Sequence, residues 1–266
     1  MELLTFELRG KMAHFRKYYA NNTAFSFSIP PRTTLMGIVA AAMGWPKDTY
    51  YEKLSSQHLH FGIRVLQPLK KSFHRVNFLS IKSTGNLAKG MSSDFRGHGG
   101  RIQTPFEVVT PFDLTKGELA YQVFISPTPE GNAIFQEIAE HFCQKPPVYT
   151  ISLGTANFQG SINKATHWPK SQIEKKSSDK LVLLHSAIPT RLVSKLLYEE
   201  DQVEHYNTIE EELMPGDFIS DHNRELNKMN HLLFSVSNVP LRVQIKDSFW
   251  SMELDGECIN FQFMDI

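Results

Sequence analysis

The most constraining feature of this sequence is an apolar segment that directly follows two prolines. Pro30 and Pro31 hold the backbone extended, and residues 35–43 then place apolar side chains around nearly the whole circumference of a predicted helix. A helix that is apolar on every side must be buried, so the rest of the chain has to form a core around it. The residues expected to cap and end this helix are Thr33 or Thr34 at its start, and Gly44 with Pro46 at its end.

The segments around this helix predict an α+β fold. Apolar residues alternate in the predicted strands and recur every three or four positions in a second long helix. The predicted strands cover residues 3–8, 58–66, 119–125 and 158–162, the second long helix covers 129–142, and a short amphipathic helix covers 48–57. The order of the main elements is strand, helix, strand, strand, helix, strand, which is that of a ferredoxin-like (RRM-like) βαββαβ core.

The remainder of the chain predicts a small, mostly β carboxy-terminal unit, residues 180–266. A polar linker, residues 169–179, separates it from a first domain formed by residues 1–168. Its strands are expected at 181–186, 241–246 and 258–263. The acidic stretch 199–212 is interpreted as solvated, with Glu210, Glu211 and Glu212 on an exposed helix face; contact with a protein partner is the alternative.

Bulk composition excludes several classes of protein. The 266 residues include 28 basic and 28 acidic side chains, so no global charge attracts a polyanion. Cys143 and Cys258 are far apart and predict neither a disulfide framework nor a zinc site. Because the first residues form a strand pattern rather than a signal peptide, and no apolar run reaches the roughly 18 residues of a membrane span, we expect a cytoplasmic protein.

Local charge is more informative than net charge. Residues 14–19, His-Phe-Arg-Lys-Tyr-Tyr, interleave cations with aromatic rings, and residues 70–82 repeat this pattern before a Gly-rich stretch between Arg96 and Arg101. Cations neutralise phosphates and rings stack on unpaired bases, so both segments favour contact with RNA. The alternative is that the rings cover the core and the charges are merely solvated.

The sequence contains no recognisable catalytic or cofactor motif. His58 and His60 share one strand face but lack a third ligand nearby, so no metal site is predicted. Residues 154–160 match neither a phosphate-binding loop nor a dinucleotide fingerprint, and no cofactor is predicted.

Two stretches resemble a known family. The segment Phe6-Glu-Leu-Arg-Gly-Lys-Met-Ala-His-Phe-Arg and the segment Ser28-Ile-Pro-Pro-Arg-Thr-Thr-Leu-Met-Gly, which continues through the apolar helix to Gly44, resemble the fifth CRISPR-associated (Cas five) family of the RAMP superfamily. The likeness extends more weakly over about the first 165 residues. Length and sequence style are most similar to the type I-B branch.

The resemblance implies a concrete role. Members of this family cap the 5′ handle of the CRISPR RNA (crRNA) in type I Cascade complexes, on a ferredoxin-like core with a protruding thumb β-hairpin, here at about residues 70–103. They contact a backbone subunit and the large subunit, and so act indirectly on target DNA recognition in antiviral defence. The predicted RNA-binding residues are His14, Phe15, Arg16, Lys17, Tyr18, Arg32, Thr33, Lys70, Lys71, Arg75, Lys82, Arg96 and Arg101.

Arg32 has two interpretations. The free amides at the start of a helix bind anions, so Arg32 and Thr33 together are suited to a phosphate. The alternative is that Arg32 pairs with an acidic side chain while the threonines only cap the helix.

Two other functions remain open. One branch of the family cleaves precursor crRNA without a metal, and His14, Lys17 and Tyr18 supply the residue types for such a site. However, the Lys and His that this branch places ahead of the third core strand are replaced here by Lys116 and Gly117. A generic RNA-recognition domain is the second alternative.

Overall fold

The two long helices expected from the sequence are present in an α+β fold that is rich in strands. A computed structural model of the chain describes residues 1–20, 23–79, 100–115, 117–198, 208–219 and 224–266. The helices are α1, Arg32–Met43, and α2, Asn132–Gln144. The strands of the amino-terminal part are β1 Leu3–Gly10, β2 Phe15–Arg16, β3 Ser26–Phe27, β4 Leu59–Val65, β5 Leu69–Leu79, β6 Arg101–Pro111, β7 Leu119–Pro127, β8 Ile151–Ser152 and β9 Gln159–Trp168.

A five-stranded antiparallel sheet carries the main core. Its strand order is β4–β7–β1–β9–β8. The alternating side chains of β1 explain its central place, because Leu4, Phe6 and Leu8 are wholly buried in one cluster with apolar residues of both helices. In α1 the buried positions include Leu35 and Val39, as the all-round apolar pattern requires.

The start of α1 differs from the prediction. The N-cap residue is Pro31, and neither Thr33 nor Thr34 caps the helix; both lie within its first turn. The helix ends as predicted at Gly44, whose φ of 74° is left-handed and favours glycine.

Strands β5 and β6 form a long two-stranded ribbon that does not belong to the main sheet. The register runs from Leu69 opposite Pro111 to Leu79 opposite Arg101. The connection between the two strands, residues 80–99, lies outside the described residues. The long segment between the second and third predicted strands therefore contains a strand near each of its ends.

The carboxy-terminal part contains more strands than the sequence indicated. They are β10 Glu174–Ser177, β11 Val182–Leu184, β12 Ile188–Pro189, β13 Val193–Leu197, β14 Ile209–Phe218, β15 Leu226–Ser235, β16 Leu241–Ile245, β17 Ser248–Leu254 and β18 Glu257–Phe261. They form three sheets, in the orders β10–β17–β18, β11–β16–β13 and β12–β15–β14. The segment predicted to be a polar linker, residues 169–179, is instead structured. It contains a 3-10 turn and β10, which pairs with β17.

Strand β14 corrects the interpretation of the acidic stretch. Residues 199–207 lie outside the described residues, but Glu210, Glu211 and Glu212 lie in β14 and not on a helix. In addition, Met214 of β14 and Leu232 and Phe234 of β15 are buried in the same apolar cluster as α1. The carboxy-terminal strands thus contribute directly to the core that surrounds the apolar helix.

A buried guanidinium joins these parts. Arg32, the first residue of α1, is wholly inaccessible to solvent. Its Nε donates to Asp265 at 2.6 Å, its Nη1 pairs with Asp217, and its Nη2 donates to the carbonyl oxygens of Leu54 and Leu59 at 2.7 Å each. One side chain therefore links α1, β14, the last residues of the chain and the segment ahead of β4.

This network accounts for a further wrong prediction. Residues 48–57 form successive turns rather than an amphipathic helix. The Leu54 carbonyl is directed at Arg32, and the backbone amide of Ser56 donates to Asp217 at 3.2 Å. Backbone groups that a helix would use are thus engaged with buried charges.

Replacing Arg32 by methionine is expected to destabilise the fold strongly. Asp217 and Asp265 would remain buried without their cation, which typically costs about 3–5 kcal/mol. Urea denaturation of Arg32→Met measures this loss. Lys47→Met is the control, because the Lys47 side chain is 76% exposed beside Asp48 and the loss of its charge is expected to change the free energy of unfolding by less than about 0.5 kcal/mol. Equal effects of the two substitutions would contradict the role of Arg32.

Candidate nucleic-acid interface

The segment between β1 and α1 is bound along the outer edge of β6. Ala13 and Val109 exchange two backbone hydrogen bonds of 2.9 Å. The Ala24 amide donates to the Pro105 carbonyl, and the Ala24 carbonyl accepts from the Glu107 amide, each at 2.9 Å. The Glu107 carboxylate also accepts from the backbone amide of Ser26 at 2.7 Å. The short hairpin β2–β3 and the ribbon therefore form one continuous unit.

This arrangement brings together the two segments that the sequence indicated separately. Phe25 of the hairpin and Phe73 of the ribbon are in edge-to-face contact, with ring centroids 5.7 Å apart, yet remain 40% and 56% exposed. Tyr18 and Tyr19 lie in the turn of the same hairpin and are also about half exposed. Contiguous exposed apolar side chains, such as the pair formed by Phe25 and Phe73, are a feature of interaction surfaces.

Two exposed arginines accompany these rings. Arg16 lies in β2 and donates to the Ala20 carbonyl at 3.4 Å, while Arg75 lies in β5, two residues after Phe73. We name the cationic-aromatic surface by its six members, Arg16, Tyr18, Tyr19, Phe25, Phe73 and Arg75. It combines guanidinium groups with stackable rings, which is the combination that single-stranded nucleic acids require.

The predicted lysines border this surface but are engaged. Lys17 pairs with Glu212, and Lys71 pairs with Glu210 at 2.9 Å. Burial by itself disfavours the charged form of Lys17, but the hydrogen bond and charge of Glu212 outweigh it and raise the pKa of this lysine. Lys70 lies 5.8 Å from the centre of the Phe112 ring. Lys17 and Lys71 are therefore cations with counter-ions already in place.

Three of the predicted RNA-binding side chains are buried, and the structure contradicts those predictions. His14 is 2% exposed; it stacks on Phe106 and its Nδ1 lies 2.7 Å from the Glu107 carbonyl oxygen. Phe15 packs in the core against Tyr121. The guanidinium of Arg32 is saturated by carboxylates and carbonyls, so the alternative interpretation of Arg32 as the partner of an acid is confirmed.

The environment of His14 also bears on the proposed cleavage trio. Burial lowers the pKa of His14, which keeps the imidazole neutral beside Phe106. With His14 inside the fold and Lys17 paired with Glu212, only Tyr18 of the three residues is exposed to solvent.

The remaining predicted residues fall in different places. Thr33 is half-buried and lines a groove of about 370 Å³ beside the first turn of α1, together with Thr34, Ser152, Gly154 and Arg224. Arg101 is exposed at the start of β6. Lys82 and Arg96 lie outside the described residues. Within the described ranges, no helix is long and apolar enough to cross a membrane, and no three potential metal ligands cluster.

The predicted list of RNA-binding residues leaves out Tyr19 and Phe73, although both lie in the cationic and aromatic stretches of the sequence, and it does not include Phe25, Glu210 or Glu212. A usable signal existed for Phe25, because Ala24-Phe25-Ser26-Phe27 alternates as a strand does. Glu210 and Glu212 are also spaced by two, but without their partners this spacing fits a helix surface equally well.

Comparison with known proteins agrees with this picture. Residues 3–106, which include β1, α1 and most of the ribbon, match the model of the CRISPR-associated protein (Cas_Cas5) family. This part of the chain is similar to that family. The matched segment contains all six residues of the cationic-aromatic surface. No curated protein sequence matches the chain.

Solved structures resemble this chain at low sequence identity. A CRISPR protein from Archaeoglobus fulgidus aligns with a TM-score of 0.55 at 14% identity, over 98% of this chain and 99% of that chain. A chain of a CRISPR RNA-guided surveillance complex aligns over 91% of both chains at 15% identity, with a TM-score of 0.48. The first similarity indicates a shared fold across the whole chain; the second is too weak to support an argument.

A glycine holds the hairpin against the main sheet and provides a test. Gly154 has a φ of 91°, and a Cβ at this position would lie 1.9 Å from the His14 carbonyl oxygen. Gly154→Ala is therefore expected to displace the segment around His14 and to cost more than about 1 kcal/mol in the free energy of unfolding. Gly100→Ala is the matched control, since Gly100 also has a positive φ, 78°, but has no neighbour within 4 Å. Thermal unfolding of both variants measures the difference, and a Gly154→Ala variant no less stable than Gly100→Ala would refute the close packing.

Proposed function

We propose that this protein is a Cas5-family subunit of a type I CRISPR effector complex, and that it binds and caps the 5′ handle of the crRNA without catalysing a reaction. The observation that carries the proposal is the cationic-aromatic surface. Two segments that are 57 residues apart at Arg16 and Phe73 meet there through the contact between Phe25 and Phe73. The match to the Cas5 family lies over the same residues.

The chemistry of this surface suits an RNA end. Unpaired bases stacking on Tyr18, Tyr19, Phe25 or Phe73 would contribute about 1–3 kcal/mol each. Arg16 and Arg75 have the planar donors that match phosphate oxygens. Because the rings lie on a hairpin and a ribbon that share backbone hydrogen bonds, the surface is held in place before RNA binds.

The topology supports the same proposal. The strand order β4–β7–β1–β9, with α1 and α2 as connections, supports a ferredoxin-like core. On this view the β5–β6 ribbon is the base of the thumb hairpin, residues 70–103, in a first domain of residues 1–168. Residues 180–266 are the smaller β-rich unit. We propose that the backbone and large subunits of the complex contact this protein, and that target DNA is recognised through them.

Binding of matched RNAs tests the function. The purified full-length chain is titrated with the labelled 5′ end of the crRNA from its own CRISPR locus and with a scrambled RNA of equal composition. Tighter binding of the native 5′ end, with the RNA intact afterwards in the presence of a chelator, is the expected result. Equal binding of both RNAs would argue against handle recognition, and specific cleavage would argue for a processing nuclease.

Removing the two arginines of the surface is expected to weaken this binding. Each lost phosphate contact should lower the dependence of log affinity on log salt by about 0.7 for a single strand. Arg16→Ala combined with Arg75→Ala should therefore reduce the slope by about 1.4, as measured by fluorescence anisotropy between about 50 and 200 mM salt. The control is Lys195→Ala, an exposed cation on β13. Similar slopes in the double variant and the control would place the RNA elsewhere.

A further inference from the structure

The two lysines beside the cationic-aromatic surface are neutralised by a single strand. Glu210 and Glu212 are two positions apart in β14, so both side chains project to the same side of the strand. Glu210 accepts from Lys71 at 2.9 Å and from the Ser28 hydroxyl at 2.6 Å, and Glu212 pairs with Lys17. Lys17 belongs to the β2–β3 hairpin and Lys71 to the ribbon, so the acidic strand contacts both halves of the unit that carries the surface.

These pairs are not ordinary surface ion pairs. The side chains of Lys17 and Glu212 are 13% and 15% exposed, and those of Lys71 and Glu210 are 24% and 17% exposed. Partial burial strengthens the attraction and makes an unpaired partner costly. Glu211 provides a contrast, since it points to the other side of β14 and pairs with His231 where both side chains are more than half exposed.

A phosphate that approaches Lys17 or Lys71 has to compete with a carboxylate already bound there. Displacing the carboxylate leaves a half-buried negative charge close to the phosphate, and this repulsion opposes binding. RNA that makes only loose electrostatic contacts cannot compensate for the loss. RNA that also stacks on the rings and binds Arg16 and Arg75 gains enough from those contacts to bind in spite of it.

We propose that Glu210 and Glu212 are specificity-determining residues, which occupy Lys71 and Lys17 and thereby suppress binding of RNA that does not fit the rest of the surface. The inference rests on the proposed RNA-binding function and adds to it the reason why an acidic strand lies against the cations. The proposal thus gives a role to Glu210 and Glu212, which lie in the part of the acidic stretch 199–212 that the structure describes.

Charge-neutral variants of β14 test this proposal. Glutamine retains the size of glutamate and can still accept from Ser28, so Glu210→Gln with Glu212→Gln removes the charges at little steric cost. The probe is a labelled oligouridine, which has no handle sequence. The double variant is expected to bind it about tenfold more tightly than the wild type, with a salt slope steeper by about 1.4 for two gained phosphate contacts. Glu211→Gln, on the same strand but facing away, should bind as the wild type does.

A second measurement links the gain to the lysines. Adding Lys17→Gln and Lys71→Gln to the double variant should return oligouridine affinity to about the wild-type value. If urea denaturation shows that the double variant is unfolded, the single Glu212→Gln variant replaces it, with an expected gain of about threefold.

The possible outcomes separate this inference from the proposed function. Unchanged or weaker oligouridine binding by the folded double variant, or an equal gain in Glu211→Gln, would overturn the inference even if the wild type prefers the native crRNA 5′ end. Conversely, a gain in the double variant alone would support the inference even if the wild type did not discriminate between native and scrambled 5′ ends, a result that would count only against handle recognition.

Discussion

The fold depends on one buried guanidinium, that of Arg32. It enters the core at the first residue of an apolar helix and meets Asp217 of β14, Asp265 near the end of the chain and two backbone carbonyl groups, one ahead of β4 and one at its first residue. Burial by itself would raise the pKa of Asp265, but the charge of Arg32 and the hydrogen bonds from His60 and Arg32 outweigh it and hold this pKa below its ordinary value. Charges so deeply buried are tolerated only as a complete set, so the amino-terminal helix and the carboxy-terminal strands are bound to fold together.

That constraint has a functional consequence. Asp217 lies at one end of β14, and Glu210 and Glu212 lie towards the other. When Arg32 fixes the position of Asp217, the same strand carries its glutamates to Lys71 and Lys17 at the hairpin and ribbon. The buried Arg32 network and the half-buried ion pairs are therefore connected, because β14 belongs to the carboxy-terminal part of the chain and places its glutamates against lysines of the amino-terminal part.

The sequence predicted those elements whose pattern is local. Leu4, Phe6 and Leu8 alternate in β1, and the apolar residues of α1 and α2 follow the helical period, so these elements were found. Arg32 was predicted to bind phosphate because its two acidic partners are 185 and 233 residues away, where no sequence period connects them. Strand β14 was missed because Glu210 and Glu212 pair with lysines that lie about 140 and nearly 200 residues earlier, respectively. The residue types of the cationic-aromatic surface were predictable, but which of them are exposed was decided by long-range packing of the hairpin on β6.

The central claim is that RNA lies across the hairpin and the ribbon, and photo-crosslinking tests it most directly. The full-length protein is bound to crRNA that carries thiouridine within its 5′ handle, irradiated, digested and analysed by mass spectrometry. The expected result is crosslinked peptides that contain Tyr18, Phe25 or Phe73. Crosslinks confined to the sheet β11–β16–β13 or to α2, with none in the hairpin or ribbon, would contradict it.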